Sequence, residues 1–240
     1  MAPVLRHTCA SKAFKNVSRG ASLDTTAGSS SVRSVRSGLE STLIFADWDD
    51  TLFPSTELFD RWDLELHGPV ELNEERRQLL SMWQRALCRF LRAIGELSEH
   101  CAIITNAESR WVEHCLQRFA PEVLELIDQT CSVLHAKEVL DGLRASKKLC
   151  GEVPLPARYV DVYRSEPYVM HVEMSAAKYQ AMRSELKKAF GRHQKGLNII
   201  NFGDMEYEHE AVLELGVRIS EQEPQIKSFL LPEVPRRLKP

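Results

Sequence analysis

The sequence predicts an α/β fold built on a mostly parallel sheet, and three observations predict it. Short, continuously apolar runs alternate along the chain with longer stretches of helical periodicity. Continuous apolar runs mark strands buried on both faces, and strands alternating with helices imply crossover connections and a parallel sheet. Three of the runs stop abruptly at polar residues: Asp47 to Thr51, Thr105-Asn106 and Gly203-Asp204. In open α/β sheets ligands bind beyond the carboxyl ends of the strands, so three polar strand ends point to one shared site.

The first strand is Thr42-Leu43-Ile44-Phe45-Ala46. Residues 53–71 contain Pro54, Gly68 and Pro69 and are expected to be irregular. Asn73 is placed to cap a helix running to about residue 98, with Leu79, Leu80, Trp83, Leu87, Phe90, Leu91, Ile94 and Leu97 at helical spacing. Cys101-Ala102-Ile103-Ile104 reads as the second strand, ending at Thr105-Asn106. A helix from about Glu108 to Phe119 follows; Pro121 interrupts it, and a short helical piece continues to Ile127. Thr130 to Leu134 reads as a third strand. Residues 139–174, broken by Pro154, Pro156 and Pro167, are expected to hold no long element, with Lys178 opening the next helix along Tyr179, Met182, Leu186 and Phe190. Leu197 to Phe202 is the fourth strand, Ala211 to Leu215 helical, and Gln225 to Leu231 a last strand before an irregular tail, 233–240. The whole is expected to form a Rossmann-like three-layer sandwich over residues 41–232, with no internal repeat.

Residues 1–40 are rich in Ser, Thr, Ala, Arg and Lys, with Asp24 and Glu40 their only acids. Such a segment buries too little surface to offset its ordering entropy and is expected to be disordered in isolation. It reads either as an organelle transit peptide or as a plain tail. The expected compartment is therefore the cytoplasm, or an organelle if the segment is a transit peptide.

A net charge of −3 and the absence of a basic stripe with interleaved aromatics argue against nucleic acid as partner. No apolar stretch approaches the roughly 20 residues of a membrane-spanning helix. The six cysteines show no C-x-x-C spacing and several fall within apolar patterns, as expected for buried free thiols rather than a disulfide frame or a zinc site. The histidines form no H-E-x-x-H pair.

What remains is carboxylate chemistry. Asp47 and Asp49 are two residues apart at a strand end, so in an extended backbone both face the same way. One can attack a phosphorus atom; the other can protonate the leaving oxygen and later deprotonate water. Crowded carboxylates repel unless a cation sits among them. Asp204, with Glu208 or Glu206, would complete an all-oxygen site suited to Mg²⁺. Thr105, with Asn106 beside it, can donate to phosphate oxygens, and Lys178 can bring a point charge.

Asp47-Trp48-Asp49-Asp50-Thr51-Leu52 after an apolar strand resembles the first motif, D-x-D-x-T-L, of the haloacid-dehalogenase-like (HAD) superfamily. Ile103-Ile104-Thr105 resembles its second motif, Lys178 its third, and Gly203-Asp204 with Glu208 its fourth, in the expected order over residues 42–231. The pairing of DWDDTLFPS with FGDMEYEHEA resembles one eukaryotic branch of that superfamily. The resemblance implies a phosphatase acting through an aspartyl phosphate: Asp47 nucleophile, Asp49 acid/base, Thr105 and Lys178 on the phosphate, and Mg²⁺ held by Asp47, the Asp49 backbone carbonyl and Asp204. An Asp at position 49 favours phosphate-ester hydrolysis over dehalogenase or transport-ATPase chemistry. Two departures stand. The fourth motif often ends in Asp where this chain has Glu208 or Glu206, and Lys137, Lys147, Lys148, Lys187, Lys188 and Lys195 compete with Lys178. The expected substrate is a phosphorylated small molecule or protein, with 139–174 as a small cap or a loop. The alternatives are phosphotransfer to an acceptor other than water, and a non-catalytic module that binds metal, phosphate or a protein.

Overall fold

In a computed structural model, residues 41–145, 166–191 and 195–232 are described. The transit-peptide or tail segment 1–40, most of the central part of 139–174, and the tail 233–240 lie outside them.

Five strands form one all-parallel sheet: β1 Thr42–Ala46, β2 Cys101–Thr105, β3 Ser132–His135, β4 Asn198–Gly203 and β5 Gln225–Leu230, in spatial order β3-β2-β1-β4-β5. The helices are α1 Glu74–Leu97, α2 Trp111–Phe119, α3 Leu124–Thr130, α4 Ala136–Ala145, α5 Glu166–Phe190 and α6 Glu206–Arg218. The expected three-layer α/β sandwich is what the chain forms. β1 shows why its sequence is apolar throughout. Ile44 and Ala46 pack with Leu87, Leu91, Ile94 and Leu116 in one core, while Leu43 and Phe45 pack with Ala177, Ala181, Met182 and Val212 in the other. A strand covered on both faces has no polar side to show.

Asn73 caps α1 as expected, its side-chain oxygen accepting from the Arg76 N–H at 2.9 Å. The buried line of α1 is narrower than its apolar residues suggest: Leu79 and Leu97 are about half exposed, and Leu87, Leu91 and Ile94 carry the contact. Residues 53–71, expected to be irregular, contain a π-helical turn, Thr56–Arg61. The helix before β4 differs more. α5 starts at Glu166 rather than Lys178, with Pro167 as its second residue, a position where the missing N–H costs no intrahelical bond. Lys178 therefore lies in mid-helix, and α4 already occupies the start of the stretch expected to lack elements. α5 is buried on several sides at once (Val172, Ser175, Ala176, Ala177, Lys178, Gln180, Ala181), which blurs the single apolar stripe that reveals a helix in sequence. Among the described residues no helix is long and apolar enough to cross a membrane.

Candidate active site

Alternation along β1 carries past its end. Asp47 has the parity of Leu43 and Phe45, which face α5, and its N–H donates to the Phe202 carbonyl of β4 at 2.9 Å. That bond seats Asp47 against the Gly203-Asp204 corner. Opposite it, α5 presents the small residues Ser175, Ala176, Ala177 and Ala181, and Lys178 reaches inward from among them. The Lys178 ammonium is 1 % exposed; it donates to the Asp47 carboxylate and to the Ile104 carbonyl of β2, and lies 3.0 Å from Glu208 Oε1. The lysine that resembles the third motif thus lies in the site, though in mid-helix and not at the helix start expected of it. Of its competitors, Lys147 and Lys148 fall outside the described residues.

Glu208 is also 1 % exposed, and its Oε2 accepts from the Met205 N–H at 3.3 Å across the first turn of α6. Room for it depends on Gly203. A Cβ there would lie 2.0 Å from Glu208 Oε2, so a side chain at 203 and Glu208 in this position exclude each other. Asp204 is 9 % exposed and accepts from the Thr51 hydroxyl at 3.3 Å. Glu206, the competing acid, is exposed on the outer side of the same turn.

One carboxylate oxygen from each of Asp47, Asp204 and Glu208 lies within 4.8 Å of the others, a buried acidic triad that can hold a metal ion. Three carboxylates crowd together with one ammonium, which pairs with Asp47 and Glu208, and the electrostatics follow from that count. Burial alone would lower the Lys178 pKa, but Asp47 and Glu208 hold it above its ordinary value and the ammonium stays charged. With Asp47 as its first partner, the remaining acids are in excess. Burial, with Asp47 adding repulsion, pushes Glu208 up to about 8 and Asp204 up to about 6. The all-oxygen donor set and this excess negative charge fit a hard divalent cation.

Asp49 faces a different set of groups. It accepts from the Ser55 hydroxyl, from the Trp111 indole N–H at 2.9 Å, and from the Thr105 hydroxyl at 3.4 Å. Burial raises its pKa against the opposing pull of the Ser55 and Trp111 hydrogen bonds. Thr105 in turn accepts from the Ala107 N–H at 3.0 Å, and the amide of Asn106 has no hydrogen-bond partner among the described residues although its polar atoms are buried. An unsatisfied buried amide at a strand end is costly unless a ligand completes it.

All seven residues singled out from sequence (Asp47, Asp49, Thr105, Asn106, Lys178, Asp204 and Glu208) therefore belong to the carboxyl edge of β1, β2 and β4 or the helices beside it. Sequence reasoning missed Ser55 and the hydrogen bond of Trp111. Ser55 sits six residues beyond Asp49 in a stretch expected to be irregular, and Trp111 sits at the start of a helix where nothing in the pattern sets its indole apart. No spacing signal links either to Asp49. Trp48, by contrast, is wholly buried in the core, next to Cys115, whose thiol burial pushes up to about 12. The thiols of Cys88, Cys101, Cys115 and Cys131 are free, as expected.

Fold and site together define a class: a parallel α/β chain with a metal-competent acidic cluster at the carboxyl edge of its sheet. Neither protein-family models, nor curated proteins, nor solved structures give a match to this chain.

Proposed function

We propose that the chain is a Mg²⁺-dependent phosphohydrolase of the HAD-like kind, cleaving a phosphomonoester through an aspartyl phosphate on Asp47. The observation that supports this best is the meeting of a lysine-paired carboxylate, a second carboxylate with separate donors, and a buried acidic triad at one sheet edge. Asp47, the Asp49 backbone carbonyl and Asp204 would hold the ion, with Glu208 beside them. When bound, Mg²⁺ neutralises charge on the phosphate oxygens.

The chain's own residues account for the rest. Asp47 is held by Lys178 against β4, so its orientation is set before substrate arrives. An oxygen of Asp47 bonds to phosphorus as the ester P–O bond breaks, and Asp49 supplies the proton that the leaving oxygen takes. Asp49, now a carboxylate, accepts a proton from the attacking water. The phosphorus bond to Asp47 breaks, and inorganic phosphate and the free enzyme result. The Lys178 ammonium, the Thr105 hydroxyl and the unpartnered Asn106 amide are the donors for the phosphate oxygens.

The test is hydrolysis of p-nitrophenyl phosphate with Mg²⁺, comparing the unaltered protein with Asp47→Asn and with added EDTA. Turnover that falls by at least ~10³-fold in both controls supports the reading. Folded, Mg²⁺-supplied protein that turns over neither this ester nor a panel of sugar, nucleotide and peptide phosphates refutes it. A non-catalytic module binding metal, phosphate or a protein would then take its place.

A further inference from the structure

Two elements remote in sequence converge on a single oxygen of Asp49. Its Oδ1 accepts from the Ser55 hydroxyl, in the turn after β1, and from the indole N–H of Trp111, the first residue of α2, at 2.9 Å. Among the described residues, Oδ2 has only the Thr105 hydroxyl, at 3.4 Å. A carboxyl group in which one oxygen already accepts two hydrogen bonds carries its proton on the other. We infer that Ser55 and Trp111 are positioning residues, fixing Asp49 so that Oδ2 is its proton-bearing oxygen and lies at the Thr105 end of β2. This role rests on the phosphohydrolase reading, and adds which oxygen transfers the proton and what aims it.

Both donors are themselves held in place. The Ser55 N–H donates to the Phe53 carbonyl at 2.8 Å. Asp50, in the left-handed region at φ 56°, accepts from the N–H and hydroxyl of Thr56 at 2.8 and 2.5 Å, which closes the turn around Ser55. The Trp111 ring packs against Phe59 at 5.7 Å between centroids, and Phe59 packs in turn on Phe53 and Phe119 at 6.0 and 5.8 Å. Swinging the indole away would open a gap in that aromatic cluster. Together the two donors saturate one oxygen and leave the other for chemistry.

In the first step, the proton on Oδ2 passes to the leaving-group oxygen as the P–O bond breaks and its electron pair moves to that oxygen. Asp47 meanwhile forms the new bond to phosphorus. A misaimed Oδ2 slows this step most when the leaving group is poor, because a good leaving group departs with little help from a proton.

The experiment measures kcat and KM with Mg²⁺ for the unaltered protein, Trp111→Phe, Ser55→Ala and Ser55→Thr. The substrates are p-nitrophenyl phosphate and phenyl phosphate, similar in shape but different in leaving-group quality. In Trp111→Phe and Ser55→Ala, kcat should fall ~10-fold or more on phenyl phosphate and about 2–3-fold on p-nitrophenyl phosphate, with KM changed less than about 2-fold. Ser55→Thr keeps the hydroxyl and should restore the ratio between the two esters. Equal losses on both esters, a change confined to KM, or a Ser55→Thr ratio matching Ser55→Ala overturns the positioning role. Should Trp111→Phe fail to fold, the two Ser55 variants decide. Unaltered protein that turns over neither these esters nor the panel of sugar, nucleotide and peptide phosphates overturns the phosphohydrolase reading and this role with it.

Discussion

Replacing Lys178 with methionine removes the ammonium shared by Asp47 and Glu208 and leaves an aliphatic chain of similar length in its place. At the 3.0 Å separation from Glu208, and an effective dielectric of about 20, the attraction between unit charges is roughly 5–6 kcal/mol. Burying the charges takes back part of this, and breaking a buried pair by removing one partner costs ~3–5 kcal/mol because the other charge stays behind unpaired. In a chain of this size that is a fall in Tm of ~10 °C. The loss depends on pH. Glu208, pushed up to about 8, is protonated well below that value, so near pH 5 its share of the pairing has already gone and only the Asp47 share is lost. Urea unfolding in EDTA near pH 8, where Glu208 is partly ionised, and near pH 5 should therefore show a larger penalty near pH 8 than near pH 5, with m unchanged. A penalty below ~1 kcal/mol near pH 8, or one that does not shrink on acidification, would refute the reasoning.

Three further outcomes are expected. Gly203→Ala places a Cβ 2.0 Å from Glu208 Oε2, so it should destabilise by ~1–3 kcal/mol and weaken the thermal shift given by Mg²⁺; wild-type values of both would show that Glu208 has another place to go. The metal-free protein should lose stability as pH rises. The folded chain holds protons on Asp204 and Glu208 that an unfolded chain releases near 4, so stability present below that range is lost through about 6 and about 8. Mg²⁺ should accordingly raise Tm more near pH 8 than near pH 5, and an equal rise at both would sink the idea. Leu91→Ala, at 0 % exposure, should cost ~2–5 kcal/mol, whereas Leu79→Ala, at 47 %, should stay within ~0.5 kcal/mol, both read from urea midpoints.

The contrast between Leu91 and Leu79 shows where sequence reading stops. Both belong to the helical repeat of α1, and periodicity identifies the face without saying how far the sheet extends beneath it. The fold class was legible because β1 and β2 are buried on both sides and so are almost wholly apolar, a pattern that survives without knowledge of their neighbours. Asp47, Asp49 and Asp204 were legible for a related reason: charge directly after such a strand has no place in a core, so its presence marks the exposed edge of the sheet. α5 was misjudged at its start. Burial on several sides removes the polar face that periodicity needs, and Pro167 was taken for a breaker where it opens the helix.

The sequence alone determined the layered parallel fold, the sheet edge that bears the site, and the acids placed there, since each follows from local hydrophobic pattern. Only the tertiary structure decided that Lys178 reaches Asp47 from mid-helix, that Gly203 makes room for Glu208, and that Ser55 and Trp111 meet on Asp49 Oδ1. Each of those contacts joins residues whose separation along the chain carries no periodic signal. They exist because two cores, packed on opposite faces of one sheet, bring α2, α5 and α6 to the same edge.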